Sequence, residues 1–238
     1  ERRENANKIV SIAIAGKYTD FEDSYASIIE ALHHCEAHFS VKINIKFIDT
    51  SNDNLSLENI SGVIIPGGFG SRGTEGKIRI IQKCREENIP FLGICYGLQL
   101  AVVEFLRNVC AVKDAVSLEF DSEAKNPAIT LLDEQKQVVR MGGTMRLGAY
   151  EAHLKDSQIK NLYKELGEGK ELKSEFIVSE RHRHRYEVNP IYIKKLEDKG
   201  LVFSGKSPNG KLMEIAELPR KEHPFFLGTQ FHPEFKAH

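Results

Sequence analysis

The chain has 238 residues, of which 41% are hydrophobic and 28% charged, and its formal net charge is -1. This length suits one globular domain with a sizeable core, and the near-neutral charge gives no electrostatic basis for binding nucleic acid or an anionic membrane surface. No apolar run approaches the roughly 18 residues of a membrane span. The 4 cysteines lack a C-x-x-C pair, so they predict neither a disulfide framework nor a zinc site.

The first five residues are polar and do not resemble a secretory signal. We interpret residues 1–7 as a linker stub, so that the chain is a fragment whose single domain spans residues 8–238. The cysteine usage favours a reducing, cytoplasmic setting.

Strands and helices alternate through the first half of the chain. The predicted strands are residues 8–16, 41–47, 62–65 and 90–94, and the predicted helices are 20–37, with Asp20 or Asp23 as cap, 74–87, and one that follows Cys95. The second strand alternates with period two, which places it nearer the sheet edge. Alternation at this spacing indicates an α/β fold with a doubly wound, mostly parallel sheet, whose site lies at the carboxyl ends of the strands.

The second half of the chain predicts additional strands and one helix, residues 159–166. The strands are predicted at 129–132, 138–139, 143–150, 175–188, 201–204, 212–218 and 225–231. Ser207-Pro208-Asn209-Gly210 is a strong hairpin-turn signal between two of them.

Gly93-Ile94-Cys95-Tyr96-Gly97 has the pattern of a nucleophile elbow in which cysteine replaces the more usual serine. A strand that turns abruptly into a helix needs room beside the nucleophile, which the glycines provide. The helix N-terminus is expected to favour the thiolate of Cys95. Cys35, Cys84 and Cys110 have no such context and are interpreted as buried, inert cysteines.

A histidine and a carboxylate near the end of the chain supply a candidate base and its partner. Pro233 biases His232 toward extended backbone, in which His232 and Glu234 share a face. The carboxylate can then hold one imidazole nitrogen while the other faces Cys95. A surface histidine beside a surface glutamate is the alternative that we set aside because Cys95 is present.

The loop Pro66-Gly67-Gly68-Phe69-Gly70 is too rich in glycine for a simple turn. We expect the N–H groups of Gly68 and Tyr96 to form an oxyanion hole, in which each donor is typically worth about 10²–10³ in rate. A phosphate-binding loop is excluded, because the spacing from Gly70 to Lys77 is one residue too long for G-x-x-x-x-G-K.

Arginines and histidines alternate through residues 181–185. On a strand Arg181, Arg183 and Arg185 face one way, and a guanidinium there can clamp a substrate carboxylate; a solvated charged strand is the alternative. A metal site is not expected in this run, because the arginines repel a divalent cation. His34 and His38 have ligand-like spacing but no third partner.

Three motifs taken together, P-G-G-F-G, G-I-C-Y-G-L-Q and F-H-P-E, resemble the class I (triad-type) glutamine amidotransferases, which have a flavodoxin-like fold. Four further segments are similar to the glutaminase domains of the CTP synthase family. They are residues 16–25, 99–105, 143–148 and 180–189. The resemblance covers nearly the whole chain.

This resemblance implies Cys95 as nucleophile, His232 as general base and acid, and Glu234 as its orienting partner. It implies that L-glutamine is bound by Gly67, Gly68, Phe69, Tyr96, Gly97, Leu98, Gln99, Glu119 and Arg185. In this set Glu119 is expected near the α-amino group, Arg185 near the α-carboxylate, and Phe69 on the methylenes. The family more often has Leu and Met where this chain has Tyr96 and Leu98, which changes the shape of the pocket.

The resemblance also implies partners that this chain lacks. In CTP synthases an N-terminal synthase (amidoligase) domain uses ATP, Mg²⁺ and ammonia from the glutaminase domain to convert UTP to CTP. GTP is the activator, and the intact enzyme is expected to be a homotetramer. For this domain we expect no cofactor, no metal, no nucleic acid and no membrane as a partner.

Two other interpretations stay open. One is a different substrate for the same fold, as in another amidotransferase or a cysteine peptidase. The other is a regulatory or assembly module with a vestigial triad.

Overall fold

The computed structural model describes residues 8–17, 25–53, 55–131 and 145–237. In chain order its strands are β1 (Ile9–Gly16), β2 (Lys42–Asp49), β3 (Gly62–Ile65), β4 (Phe91–Ile94), β5 (Val116–Ser117), β6 (Pro127–Thr130), β7 (Arg146–Leu154), β8 (Lys170–Leu172), β9 (Glu175–His184), β10 (Glu187–Val188), β11 (Val202–Lys206), β12 (Met213–Glu217) and β13 (Phe226–Thr229). The helices are α1 (Ala26–Phe39), α2 (Thr74–Glu86), α3 (Tyr96–Asn108), α4 (Gln158–Glu165) and α5 (Pro190–Asp198), followed by a 3-10 helix (Pro233–Lys236). None of the helices in these ranges has the length and apolar content of a membrane span.

Within the described residues a 10-stranded sheet has the order β2-β1-β3-β4-β13-β12-β11-β7-β9-β8. The strands from β2 to β13 in this order pair in parallel, whereas β12 to β8 extend the sheet by antiparallel pairing. The predicted α/β fold is confirmed, with β2 at the sheet edge as expected. A 3-stranded sheet of β10, β6 and β5 lies apart from it.

The last strand of the chain, β13, positions the candidate site. It pairs in parallel with β4, so that Thr229 lies opposite Ile94. The N–H of Cys95 donates to the carbonyl oxygen of Thr229 at 2.6 Å. This pairing brings the segment after β13, which carries His232 and Glu234, to the edge of the sheet where β4 ends at Cys95.

Alternation along the parallel strands gives each face of the sheet its own apolar layer. Ala13, Val63 and Ile65 belong to the large cluster that includes α2, α3 and α5. Ile14 and Ile64 belong to a second cluster formed with α1. Helix α3 is buried from Tyr96 to Leu106, so the helix that begins at the elbow is firmly held in the core.

Most of the predicted elements in the first half are found at nearly the predicted bounds. Helix α1 begins later than predicted, at Ala26, after Tyr25, whose side chain makes no capping hydrogen bond. The expected caps Asp20 and Asp23 lie outside the described residues, as do residues 1–7.

The second half differs more from the prediction. The hairpin turn is confirmed, since the N–H of Gly210 donates to Ser207 O at 2.7 Å. The single strand predicted at 175–188 is wrong, because it breaks at residues 185–186 into β9 and β10. Helix α5 was not predicted, although Asn189 caps it and Pro190 occupies its first turn. The strand predicted at 138–139 lies outside the described residues.

Candidate active site

The elbow between β4 and α3 places Cys95 in a strained backbone conformation, with φ 52° and ψ -96°. Such angles cost a non-glycine residue about 1–3 kcal/mol and cluster at functional sites. The flanking glycines are needed for space. A Cβ on Gly97 would lie 2.3 Å from the carbonyl oxygen of Ile65, and one on Gly93 would lie 2.6 Å from the carbonyl carbon of Gly97.

The thiol of Cys95 is buried, with 5% of the residue exposed. Burial raises its pKa to about 12; the backbone N–H of Tyr96 opposes the shift, and the negative charges of Glu234, Glu187 and Glu119 reinforce it. The expectation of a thiolate is therefore wrong for the unliganded site, because the pKa-raising effect of burial outweighs the hydrogen bond from the first N–H of the helix. The attack on a carbonyl needs a base that removes this proton.

His232 and Glu234 form the expected pair, since Nδ1 of His232 lies 2.7 Å from Oε1 of Glu234. The predicted extended backbone is wrong, because residues from Pro233 onward form a 3-10 helix. This turn, rather than strand alternation, folds the carboxylate back onto the imidazole. The His232 ring stacks on Phe235, and its backbone N–H donates to Arg181 O at 2.8 Å, which fixes its position.

His232 and Cys95 line the same cavity, of about 270 Å³, together with Gly67. A Cβ on Gly67 would lie 2.7 Å from Cε1 of His232, so glycine is required where the loop meets the ring. At Gly68 an added Cβ would meet no atom within 4 Å. The loop thus presents an open backbone beside the nucleophile.

Three side chains hold the glycine loop. Nζ of Lys17 donates to Phe69 O at 2.6 Å, and the hydroxyl of Tyr96 donates to Gly70 O at 3.1 Å. The N–H of Gly70 donates to Oε1 of Glu119 at 3.0 Å. Tyr96 therefore ties the loop to α3 through a hydroxyl that the usual leucine would not supply.

A second cavity, of about 180 Å³, is also lined by Cys95. Its lining residues are Gly68, Phe69, Cys95, Tyr96, Gln99, Glu119, Met145, His184, Arg185 and Tyr186. Most of the residues expected to bind glutamine are thus brought together with the candidate nucleophile. Leu98 is fully buried in the core, and neither Leu98 nor Gly97 lines this cavity.

Comparison with known proteins shows the family to which this chain belongs. The sequence model for "Glutamine amidotransferase class-I" matches residues 20–238. The chain belongs to the class I glutamine amidotransferase family. Its sequence is 53% identical over 231 residues to CTP synthase of Archaeoglobus fulgidus, covering 95% of this chain and 41% of that protein. It is 50% identical over 240 residues to CTP synthase of Saccharolobus solfataricus, covering 98% and 43%.

The solved structures agree with this assignment. The glutaminase domain of Trypanosoma brucei CTPS with bound acivicin is 34% identical, with a TM-score of 0.83, over 95% of this chain and 86% of that one. A glutamine amidotransferase of Thermotoga maritima, 14% identical with a TM-score of 0.54 over 94% and 76% of the two chains, shares the fold. The recognition made from the motifs is confirmed. The chain spans about two fifths of the length of the curated relatives it matches.

The arginine-histidine run of this amidotransferase does not put its three arginines on one face of a strand. Arg181 and Arg183 are exposed on β9, while Arg185 lies half-buried beyond the end of the strand, in the smaller cavity. His182 and His184 are buried on the opposite face of β9. Among the described residues of this amidotransferase no group of His, Cys, Asp or Glu is arranged to hold a metal ion.

A buried ionic network behind the smaller cavity was not predicted. Arg146 donates to Glu187 at 3.2 Å and to Glu214 at 2.9 Å. His184 lies 2.7 Å from Glu187, and His182 lies 2.8 Å from Glu214. The alternation of β9 does indicate that alternate residues are buried, and buried histidines need polar partners.

Gln230, which lies beside Cys95, was also not predicted as a site residue. It is fully buried, and its Nε2 lies 3.7 Å from Sγ of Cys95. It directly precedes the F-H-P-E motif, which is the signal that could have placed it near the nucleophile.

Proposed function

We propose that this amidotransferase hydrolyses L-glutamine to glutamate and ammonia through a Cys95–His232–Glu234 triad and a glutamyl thioester. The observation that carries the proposal is the pairing of β13 with β4, which brings the hydrogen-bonded His232–Glu234 pair to the cavity that Cys95 lines. A nucleophile, its base and the orienting acid are the parts that such a reaction needs.

The reaction begins when Sγ of Cys95 attacks the side-chain amide carbon of glutamine. Because burial keeps the thiol protonated, His232 takes its proton as the S–C bond forms. Glu234 bonds Nδ1 of His232, which leaves Nε2 for the proton transfer. The N–H groups of Gly68 and Tyr96 are proposed to stabilise the oxyanion.

In the next step His232 gives its proton to the departing nitrogen, and ammonia leaves as the C–N bond breaks. A water molecule, deprotonated by His232, then attacks the thioester carbonyl. Glutamate leaves and the thiol of Cys95 regains a proton from His232. His232 is therefore the base both in the formation and in the hydrolysis of the thioester.

Selection of an amino acid is assigned to opposite charges in the smaller cavity. We propose that Glu119 binds the α-ammonium group and that Arg185 binds the α-carboxylate, with Phe69 on the methylenes. Both charged residues line the cavity on which Cys95 also opens. One oxygen of Glu119 already accepts from Gly70, so the same carboxylate would link the substrate to the glycine loop.

We further propose that the ammonia serves a synthase domain that aminates UTP to CTP with ATP and Mg²⁺, under activation by GTP. The matched relatives are named CTP synthase, and this chain covers only 41% and 43% of their length. More than half of each relative therefore lies outside the matched region. Assembly of the intact enzyme as a homotetramer, a cytoplasmic location and the limits of the domain at residues 8–238 stay predictions.

Removal of the charge from each of the two proposed glutamine-binding residues, Glu119 and Arg185, tests the function. Glu119→Gln keeps an acceptor for the N–H of Gly70 and removes the charge, so the KM for glutamine is expected to rise roughly 10- to 100-fold with a smaller change in kcat. Arg185→Met is expected to act in the same direction. The measurement is steady-state release of ammonia and glutamate from glutamine by this chain.

The matched controls are Glu123→Gln and Arg181→Met, which change exposed side chains. Both are expected to leave the KM for glutamine unchanged. If both cavity variants keep the wild-type KM, the assignment of the binding residues is wrong. Cleavage of peptides without release of ammonia from glutamine would favour a peptidase. No release of ammonia from glutamine, even with a synthase domain and nucleotides added, would favour a vestigial module.

A further inference from the structure

A hydrogen-bonded relay of side-chain amides ends on the sulfur of Cys95. Nε2 of Gln99 donates to the backbone carbonyl of Tyr186 at 2.9 Å and to Oε1 of Gln230 at 3.3 Å. Nε2 of Gln230 then donates to Sγ of Cys95 at 3.7 Å. Both glutamine side chains are buried, so water does not compete for these bonds.

The orientation of both amides follows from the first member of the relay. A backbone carbonyl only accepts, so Tyr186 requires the NH₂ group of Gln99 to face it. The same NH₂ group faces Gln230, which must therefore present its carbonyl oxygen to Gln99. Gln230 is then left with its own NH₂ group directed at Cys95. A flip of either amide would place two donors or two acceptors against each other.

Backbone bonds hold Gln230 and Cys95, the last two members of the relay, in place. The N–H of Gln230 donates to Glu214 O at 2.8 Å, and the N–H of Cys95 donates to Thr229 O at 2.6 Å. Tyr186 immediately follows Arg185 and lines the same cavity. The relay therefore runs from the proposed carboxylate-binding loop to the reacting sulfur.

We propose that Gln230 is a catalytic residue, which donates a hydrogen bond to Cys95 as negative charge develops on the sulfur, and that Gln99 is the positioning residue that orients it. The role in turnover rests on the proposed glutaminase function. The effect on the sulfur itself does not, because it acts on any reaction in which Cys95 is the nucleophile.

The chemistry around the sulfur shows why a donor matters there. The sulfur is buried, and the charges of three carboxylates, Glu119, Glu187 and Glu234, disfavour a thiolate there. A neutral amide N–H is a donor that stabilises negative charge on sulfur without attracting the nearby carboxylates into an ion pair. Hydrogen bonds to charged groups are the strong ones in such surroundings.

Alkylation of Cys95 by iodoacetamide measures this effect without glutamine. In Gln230→Met, which keeps the length of the side chain and removes the donor, the second-order rate constant is expected to fall roughly 10- to 100-fold at every pH between about 7 and 9. Under glutamine turnover kcat is expected to fall by a similar factor with little change in KM. Gln82→Met, on α2 and remote from the site, is the matched control and should alkylate Cys95 at the wild-type rate.

The double variant tests the relay itself. If Gln99 acts on the sulfur through Gln230, then Gln99→Met lowers the alkylation rate by itself but adds nothing in a Gln230→Met background. Additive losses would overturn the relay, and a wild-type alkylation rate in Gln230→Met would overturn the role of Gln230. If Gln230→Met does not fold, Gln230→Leu, which also removes the donor, gives the answer by the same alkylation measurement.

The two levels of the proposal fail separately. A wild-type chain that alkylates as expected but releases no ammonia from glutamine, even with a synthase domain and nucleotides added, would contradict the glutaminase function and leave the donor intact. Normal ammonia release by Gln230→Met would contradict the donor and leave the glutaminase function intact.

Discussion

Alanine at position 95 is expected to reduce the release of ammonia from glutamine by roughly 10⁴- to 10⁶-fold, because removal of a nucleophile abolishes the covalent route. The loss should appear in kcat, since the side chain of Cys95 contributes little to substrate binding. Cys110→Ala, which removes another buried thiol far from the triad, is the control and should retain activity.

Cys95→Gly distinguishes the effect of residue 95 on activity from its effect on the stability of the fold. The φ of 52° strains any residue with a Cβ, so Cys95→Gly is expected to be as inactive as Cys95→Ala but more stable by about 1 kcal/mol. Thermal unfolding of the two variants measures the difference. A glycine variant less stable than the alanine variant would show that the elbow stores no strain at this residue.

The second large effect is expected at Arg146, which is the cation between two buried carboxylates. Side chains of Glu187 and Glu214 are 1% and 0% exposed, and Arg146 bonds both. Arg146→Met leaves them without this partner, which is expected to cost about 3–5 kcal/mol of the free energy of unfolding. For a chain of this size the expected fall in Tm is roughly 6–20 °C.

The pH dependence of stability provides a further readout of the same network. Burial raises the pKa of Glu214, but the hydrogen bond from His182 and the charge of Arg146 outweigh burial, so the net pKa is lowered. A lowered folded-state pKa contributes stability that is present above the unfolded value of about 4.3 and is lost as the pH falls through the folded value. In Arg146→Met the loss of Tm on acidification below about pH 4.3 should be smaller than in the wild type.

Arg181→Met is the control for Arg146→Met, because it removes a positive charge from the exposed face of the neighbouring strand. Its Tm is expected to stay close to that of the wild type. An equal fall in Tm for both variants would mean that net charge, and not the buried network, explains the effect.

The parts of the fold that could be predicted from the sequence are those with strong local signals. Strands β3 and β4 are short apolar runs bounded by proline and glycine, and α2 was predicted to within one residue of its end at Glu86. The break after β9 was missed because no glycine, proline, asparagine or aspartate interrupts the run from 175 to 188. Helix α5 was missed although Asn189-Pro190 is a start signal, and residues 189–200 were left without an element between two predicted strands.

The candidate site also contains residues that local motifs predict and residues that they do not. Cys95, His232 and Glu234 lie in short motifs that indicate their chemistry. Gln230 and Cys95 are 135 residues apart, and Arg146 and Glu214 are 68 apart, so only the folded sheet shows that they meet. The thiol pKa was also beyond prediction, because burial of the elbow depends on packing from the whole parallel sheet.

In the proposed mechanism Cys95 is acylated by glutamine. The most direct measurement is an acid quench of the chain during turnover, followed by peptide mass spectrometry. We predict one glutamyl group per chain, bound to the peptide that contains Cys95 and absent from Cys95→Ala. Ammonia release at the wild-type rate by Cys95→Ala, with no glutamyl group on Cys95 in the wild type, would contradict the role of Cys95 as nucleophile.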